Sequence, residues 1–456
     1  MTETTRAADA SGTVGTQDSG AAAGWRKVLG DVRGRAQSLY PVAGGRGVSL
    51  RTAAAGVLFV AAATALSLHR VAGPGALQSM WAEDGAVFYQ DTFHQGFFSA
   101  LFTPNNGYAE FLPRFLIGLI AYLPVSHAAT AIALTGAVLS SALALLVYHA
   151  SAEHIRSRVP RACLAAVTAL LVYGAGEVAN NIVNLQWYLL YVTFWMFLWN
   201  PQAVGRRALA AVVLFVAFAS DPVSTIFLAP ILAVRLWCRP WRESRWQVYG
   251  LVAGLVYQLA AILHGGGGPR KLTTNYSLTF AADVYNRDIL GNALVSHREL
   301  TQLGLHASGL ASAIGIVLLV VCVIGAVLLF KTRGLFVAVC LVSGFALFAL
   351  SVMSSGYSLP RYDTAPILLL ITAFAVLVDG QRLWRIAAAG LCVMLAANLH
   401  ANYSVGTDQL RAEFPSWFAQ VKDGKHACEQ DPALRVITVQ TAPGGGWVVA
   451  VPCSAL

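Results

Sequence analysis

Charge is scarce in this chain. Only 12% of its 456 residues are Asp, Glu, Lys or Arg, while 57% are hydrophobic; a soluble domain carries about a quarter charged residues. That imbalance excludes a water-soluble globular protein of ordinary make. The motifs of soluble catalysis are also lacking. There is no Gly-rich phosphate loop, no Ser-His-Asp order, no HExxH and no clustered Cys/His ligand set, so chemistry on soluble nucleotide sugars is unsupported. No secretory signal peptide is expected. The first 24 residues, rich in Ala, Gly, Ser and Thr, read as a disordered tail that cannot build a core.

What is present is apolar and repeated. Runs of about 15 to 25 residues recur from Ala53 to Ala397, each long enough or nearly so to cross about 30 Å of hydrocarbon. The net charge of +9 does not point to nucleic acid, because Lys and Arg fall mainly in short loops between the runs. Basic residues from Arg26 to Arg51 precede the first run, which places the N-terminus in the cytoplasm.

Counting Arg and Lys assigns cytoplasmic loops at Arg156/Arg158/Arg161, Arg206/Arg207, Arg235 to Arg245, Lys331/Arg333 and Arg382/Arg385. The parity of these loops requires that one of two early apolar segments, 109–124 and 127–149, does not cross. The first contains Pro113 and Arg114 and reads as an interfacial or re-entrant helix. The expectation is an all-α polytopic membrane protein of about eleven transmembrane helices, within a range of 10–13. It has interfacial helices in the first outer loop and three parts: a disordered, basic cytoplasmic segment (1–48), a transmembrane domain (49–400) and a small extracytoplasmic domain (401–456).

Five of the seven cysteines lie in or at the end of apolar segments, where a free thiol acts as a small hydrophobe. The other two, Cys428 and Cys453, follow the last run and are expected to pair in an oxidising compartment.

Three segments gather on the outer face in this topology: 70–126, the loop around Gly176 to Trp187, and 265–306. In the first, Glu83 and Asp84 stand side by side among Trp81, Phe88 and Tyr89, and the stretch through Phe102 reads as an amphipathic helix lying flat on the membrane. A solvated acidic turn at a helix start is the bland alternative. In the second, helical spacing puts Glu177, Asn180, Asn181 and Asn184 on one face, with Gln186 and Trp187 following. Such a face either caps and bonds neighbouring helices or lines a wet cavity that reads sugar hydroxyls, with Trp187 stacked on the ring. Asp221, in Ser220-Asp221-Pro222, either caps the next helix or touches the substrate. Arg114 either snorkels or pairs with acids of its own loop. Basic residues on the outer face, Arg270, Lys271, Arg287, Arg298 and Arg361, oppose the general charge trend. Beyond snorkelling, an anionic lipid phosphate would explain them, with Arg361-Tyr362 and Lys271 favoured.

The acidic pair just after the first span, together with the order of loops, resembles the GT-C superfamily of polyprenyl-phosphate-sugar-dependent membrane glycosyltransferases, of the actinobacterial type. The resemblance implies a GT-C-like fold and transfer of a sugar from a polyprenyl-phosphate donor to a cell-envelope glycan, lipid or protein acceptor. It places the active site on the extracytoplasmic face of the plasma membrane and makes one acid the general base on the acceptor hydroxyl. The pair here is Glu-Asp; either can be the base, and Asp84 is the slightly preferred choice. Glu83, Asp84 and Glu177 offer oxygen ligands to Mg²⁺ or Mn²⁺, though the metal is unassigned. The alternative is a transporter or flippase for a lipid-linked sugar, which usually shows internal repeats; none is evident.

Overall fold

The computed structural model describes residues 18–44, 49–71, 73–105, 107–170, 175–222, 225, 228–265, 274–294, 307–379, 384–401, 403 and 415–456. Apart from two pairs of short strands and isolated bridges, the regular structure among the described residues is helical. Six helices among them are long and apolar enough to cross a membrane: Leu50–His69, Val125–Glu153, Trp241–His264, Gly309–Leu328, Phe330–Ser355 and Pro360–Val378. Each has 19 residues or more, which at about 1.5 Å per residue matches the hydrocarbon thickness. This is an all-α membrane protein.

The helices differ in what covers them. Only 17% of the Leu50–His69 window is buried by protein, against 83% for Pro360–Val378. The first therefore leaves most of its surface uncovered by protein, and the second runs through the centre. Leu185–Leu198 shares that centre, with every residue except Gln186 buried; the Tyr191 hydroxyl joins it to Thr372 at 2.6 Å. Both central helices are apolar on all sides, as a position enclosed by other helices demands.

Loops meet in two groups. In one, residues 42–43 pair in parallel with 200–201, Tyr40 donates to Ile231 O, Arg235 donates to Phe197 O and Trp199 O, and Asp379 accepts the backbone N–H groups of Arg156 and Ser157. These segments belong to or adjoin the loops expected inside. In the other, Asn180 bonds to Ser67, Leu112 N–H donates to Ser220, Arg361 meets Glu177, and Asn275 N–H donates to Met353 O. The segments expected outside meet here.

The segment expected to form the first outer loop is built differently from the expected flat helix. Residues Asp84–Tyr89 form a π-helical turn, Gln90–Gln95 and Phe97–Phe102 follow as separate short helices, and Gly96 breaks the run at φ 75°. Glycine adopts that left-handed region without a Cβ penalty. Helix Phe111–Ile120 has ten residues, about 15 Å and half the hydrocarbon depth. It packs on 84–89, on 97–102 and on Val204–Ser220.

The C-terminal unit consists of helix Trp417–Gln430 and an antiparallel hairpin, Val436–Gln440 with Val448–Pro452. Cys428 and Cys453 are disulfide-bonded, with Cα atoms 5.8 Å apart. The unit sits on the loop that carries the acidic pair. Ala442 N–H donates to Met80 O at 2.9 Å, Trp417 Nε1 donates to Val125 O at 2.8 Å, and Ala450 N–H donates to Gln90. The apolar cysteines are not all free: Cys163 and Cys392 are bonded to each other across two helices, while Cys238, Cys322 and Cys340 remain buried thiols.

Candidate active site

The two adjacent acids have opposite surroundings. Asp84 is fully buried, and its two carboxylate oxygens accept the backbone N–H groups of Ile182 and Val183 at 3.0 and 2.8 Å. Glu83, at the start of the π-helical turn, is half-buried, and its side chain has no hydrogen bond or ion pair among the described residues. Asp84 thus fastens one loop to another, and Glu83 is the carboxylate left open. Of the two acids, Asp84, the slightly preferred one, is held by backbone, and Glu83 is the less engaged.

Packing fixes the pair in place. A Cβ on Gly85 would stand 2.7 Å from Thr441 Cγ2 and 2.9 Å from both Met80 Sδ and Val449 Cγ2. Only glycine lets the C-terminal hairpin lie directly on the acidic turn.

From 179 to 184 the chain is a turn, not the single helical face that the spacing of 177 to 184 suggests. Helix Ala175–Val178 ends before it, and Asn180 lies at φ 56°, a region Asn tolerates better than most residues. Asn180 is tied to Ser67, accepting from its hydroxyl at 2.8 Å and donating to its carbonyl at 2.7 Å. Asn181 and Asn184 both donate to Glu177 O, Asn184 N–H donates to Asn181 Oδ1, and Trp187 donates to Asn184 Oδ1 at 3.2 Å. The turn presses so closely on helix Ala128–Ala150 that a Cβ at Gly136 would lie 2.7 Å from Asn181 O. Asn181 and Asn184 spend their hydrogen bonds on the turn itself, and Asn180 spends its on Ser67. Trp187 is 7% exposed and its ring faces Tyr362 with centroids 5.1 Å apart, so it is not a free stacking platform.

Glu177 reaches across to Arg361 at 3.4 Å. Burial raises the Glu177 carboxyl above its ordinary range; Arg361 opposes the shift and Glu83 adds to it. Tyr362 bonds to Ser355 at 2.8 Å. Arg114, nearly fully buried, pairs with Asp91 at 3.0 Å and lies over the Phe88 ring at 5.1 Å, which selects pairing within its own loop over snorkelling.

Sequence reasoning did not single out Glu110. It sits 3% exposed just before helix Phe111–Ile120 and accepts from Asn105 at 3.2 Å. Burial pushes its carboxyl up to about 7, with Asn105 and Arg114 opposing and Glu83 and Asp221 reinforcing. The signal available in sequence was an acid just ahead of the short Pro113-Arg114 helix. Gln258 holds this stretch to the bundle, accepting Ala109 N–H at 3.0 Å and donating to Ala109 O at 2.8 Å. Asp221 is buried at the end of Val204–Ser220. Glu83, Glu110, Glu177 and Asp221 thus share one electrostatic neighbourhood beside Arg114 and Arg361.

Arg270, Lys271 and Arg298 lie outside the described residues. Arg287 is exposed and spent on Asp288 at 2.6 Å. No three Asp, Glu, His or Cys side chains among the described residues converge as metal ligands, so Glu83, Asp84 and Glu177 are not assembled into a cation site. Comparison with protein-family models, curated proteins and solved structures finds no match.

Proposed function

We propose that the chain is an extracytoplasmic glycosyltransferase of the GT-C kind, multi-pass in the plasma membrane. It moves a sugar from a polyprenyl phosphate to a hydroxyl of a cell-envelope glycan, lipid or protein. The observation that supports this reading is a Glu83 carboxylate with no partner among the described residues, beside an Asp84 held by two backbone N–H groups, in the electrostatic neighbourhood of the Glu177–Arg361 pair. Glu83 takes the proton of the acceptor hydroxyl, the hydroxyl oxygen attacks the anomeric carbon, and the bond from that carbon to the phosphate oxygen breaks. Polyprenyl phosphate leaves with the electron pair, its charge met by Arg361. Helices 50–69, 128–150, 158–170, 185–198, 204–220, 241–265, 307–328, 335–355, 364–378 and 384–401, with the apolar stretch 222–237, are read as eleven crossings, with the acidic pair outside.

The test is incubation of the purified protein with a panel of radiolabelled polyprenyl-phosphate sugars and a cell-envelope extract. Label bonded to an acceptor supports transfer. Label that crosses a vesicle membrane still attached to its lipid would instead indicate a flippase.

A further inference from the structure

The start of helix Thr364–Val378 holds buried polar atoms without partners among the described residues. Asp363 is 7% exposed and Thr364 fully buried, and neither Asp363 Oδ1 nor Thr364 Oγ1 has a hydrogen-bond partner among the described residues. Asp363 occupies the N-cap position, yet its side chain makes no cap hydrogen bond, although Asp is among the best capping residues. Buried polar atoms left unbonded are costly, and each in a native structure points to something that completes it.

The surroundings narrow what that is. Arg361, two residues earlier, is bonded to Glu177, and Tyr362 lies against Trp187. Asp288 and Glu177 are within electrostatic reach of Asp363, yet among the described residues no three such groups converge as metal ligands. A bare cation does not fit, and a buried carboxyl beside a buried hydroxyl suits a group that both donates and accepts, as a sugar hydroxyl does.

We propose that Asp363 Oδ1 and Thr364 Oγ1 bind a hydroxyl of the sugar carried by the lipid phosphate, next to Arg361, which takes the phosphate itself. The inference rests on the glycosyl-transfer reading and adds the residues that select the sugar.

The experiment measures two constants on purified protein: KM for the polyprenyl-phosphate sugar that the wild-type protein turns over, and inhibition by the same polyprenyl phosphate without sugar. Asp363→Asn and Thr364→Val are each expected to raise the donor KM about tenfold, the worth of one hydrogen bond, and to leave inhibition by the sugar-free lipid unchanged. Thr364→Val keeps the side-chain shape and remains readable if Asp363→Asn fails to fold. An unchanged KM overturns the proposal, and so does a parallel rise in KM and inhibition constant, which signals a distorted site or a buried water. If wild-type protein turns over no such donor, the glycosyl-transfer reading fails and takes the inference with it; turnover with unaffected variants rejects the inference alone.

Discussion

Asp84 accepts the backbone N–H of Val183 at 2.8 Å and so joins the loop after the first long helix to a turn 99 residues later. With its other oxygen on Ile182 N–H, the buried carboxylate has a structural task. Its neighbour Glu83 makes no hydrogen bond or ion pair through its side chain among the described residues.

Asp84→Asn should therefore act mainly on stability. The amide nitrogen faces an N–H group with nothing to accept it, and losing a hydrogen bond to a charged group costs about 1.5 to 3 kcal/mol. A thermal-unfolding curve in detergent should shift down by several degrees. An unshifted curve would detach Asp84 from the turn.

Asn180 offers a backbone test. At φ 56° a β-carbon is strained, and the side chain also makes two bonds to Ser67. Asn180→Ala is expected to lose about 1 to 3 kcal/mol, and Asn180→Gly less, because glycine relieves the backbone while still losing the bonds. Equal losses in the two variants would show that the backbone conformation contributes nothing.

The pH dependence of stability follows from Glu110. Its carboxyl is raised from 4.5 to about 7, so between these values the folded protein holds a proton that the unfolded chain has released. Stability falls as pH rises through that window and levels off above it, by an amount on the order of 3 kcal/mol. Unfolding measured at pH 5 and pH 8 should show the loss, and Glu110→Gln should flatten it. A slope that persists in Glu110→Gln assigns it to another group.

Topology can be read by labelling. Glu153→Cys and Arg242→Cys lie at exposed positions in one loop group and Tyr276→Cys, 74% exposed in the native residue, in the other. In intact cells a membrane-impermeant maleimide should modify only Tyr276→Cys. Labelling of Glu153→Cys together with Tyr276→Cys would put both groups on one side and remove the crossing order.

Much of this architecture was legible because bilayer physics writes it into composition. Apolar length gives the long helices, and the Arg and Lys residues near 156–161, 235–245 and 331–333 separate the loops that do meet from those that meet on the other face. The acidic pair stood out as charge in a charge-poor chain. What could not be read depends on contacts between distant segments. The 3- and 4-residue spacing of Glu177, Asn180, Asn181 and Asn184 mimics a helix, but Asn180 leaves the helical region because Ser67 holds its side chain. Nothing near Asp84 in sequence marks the backbone N–H groups of Ile182 and Val183, about a hundred residues on, that its carboxylate accepts. Arg114 left its partner open, and Asp91 is that partner. Gly96 divides the stretch through Phe102, read as one flat helix, into separate short helices.

The central claim is that Glu83 is the general base, and a single-turnover rate measurement on Glu83→Gln with a polyprenyl-phosphate sugar tests it most directly. Removing a general base lowers the chemical step by about two to four orders of magnitude, and a half-buried, unpartnered side chain can be replaced with little effect on folding, about half a kcal/mol. The expected result is a protein that extracts and unfolds like wild type, binds donor normally and transfers sugar at least about a hundredfold more slowly. A folded Glu83→Gln protein that transfers at the wild-type rate would contradict the account.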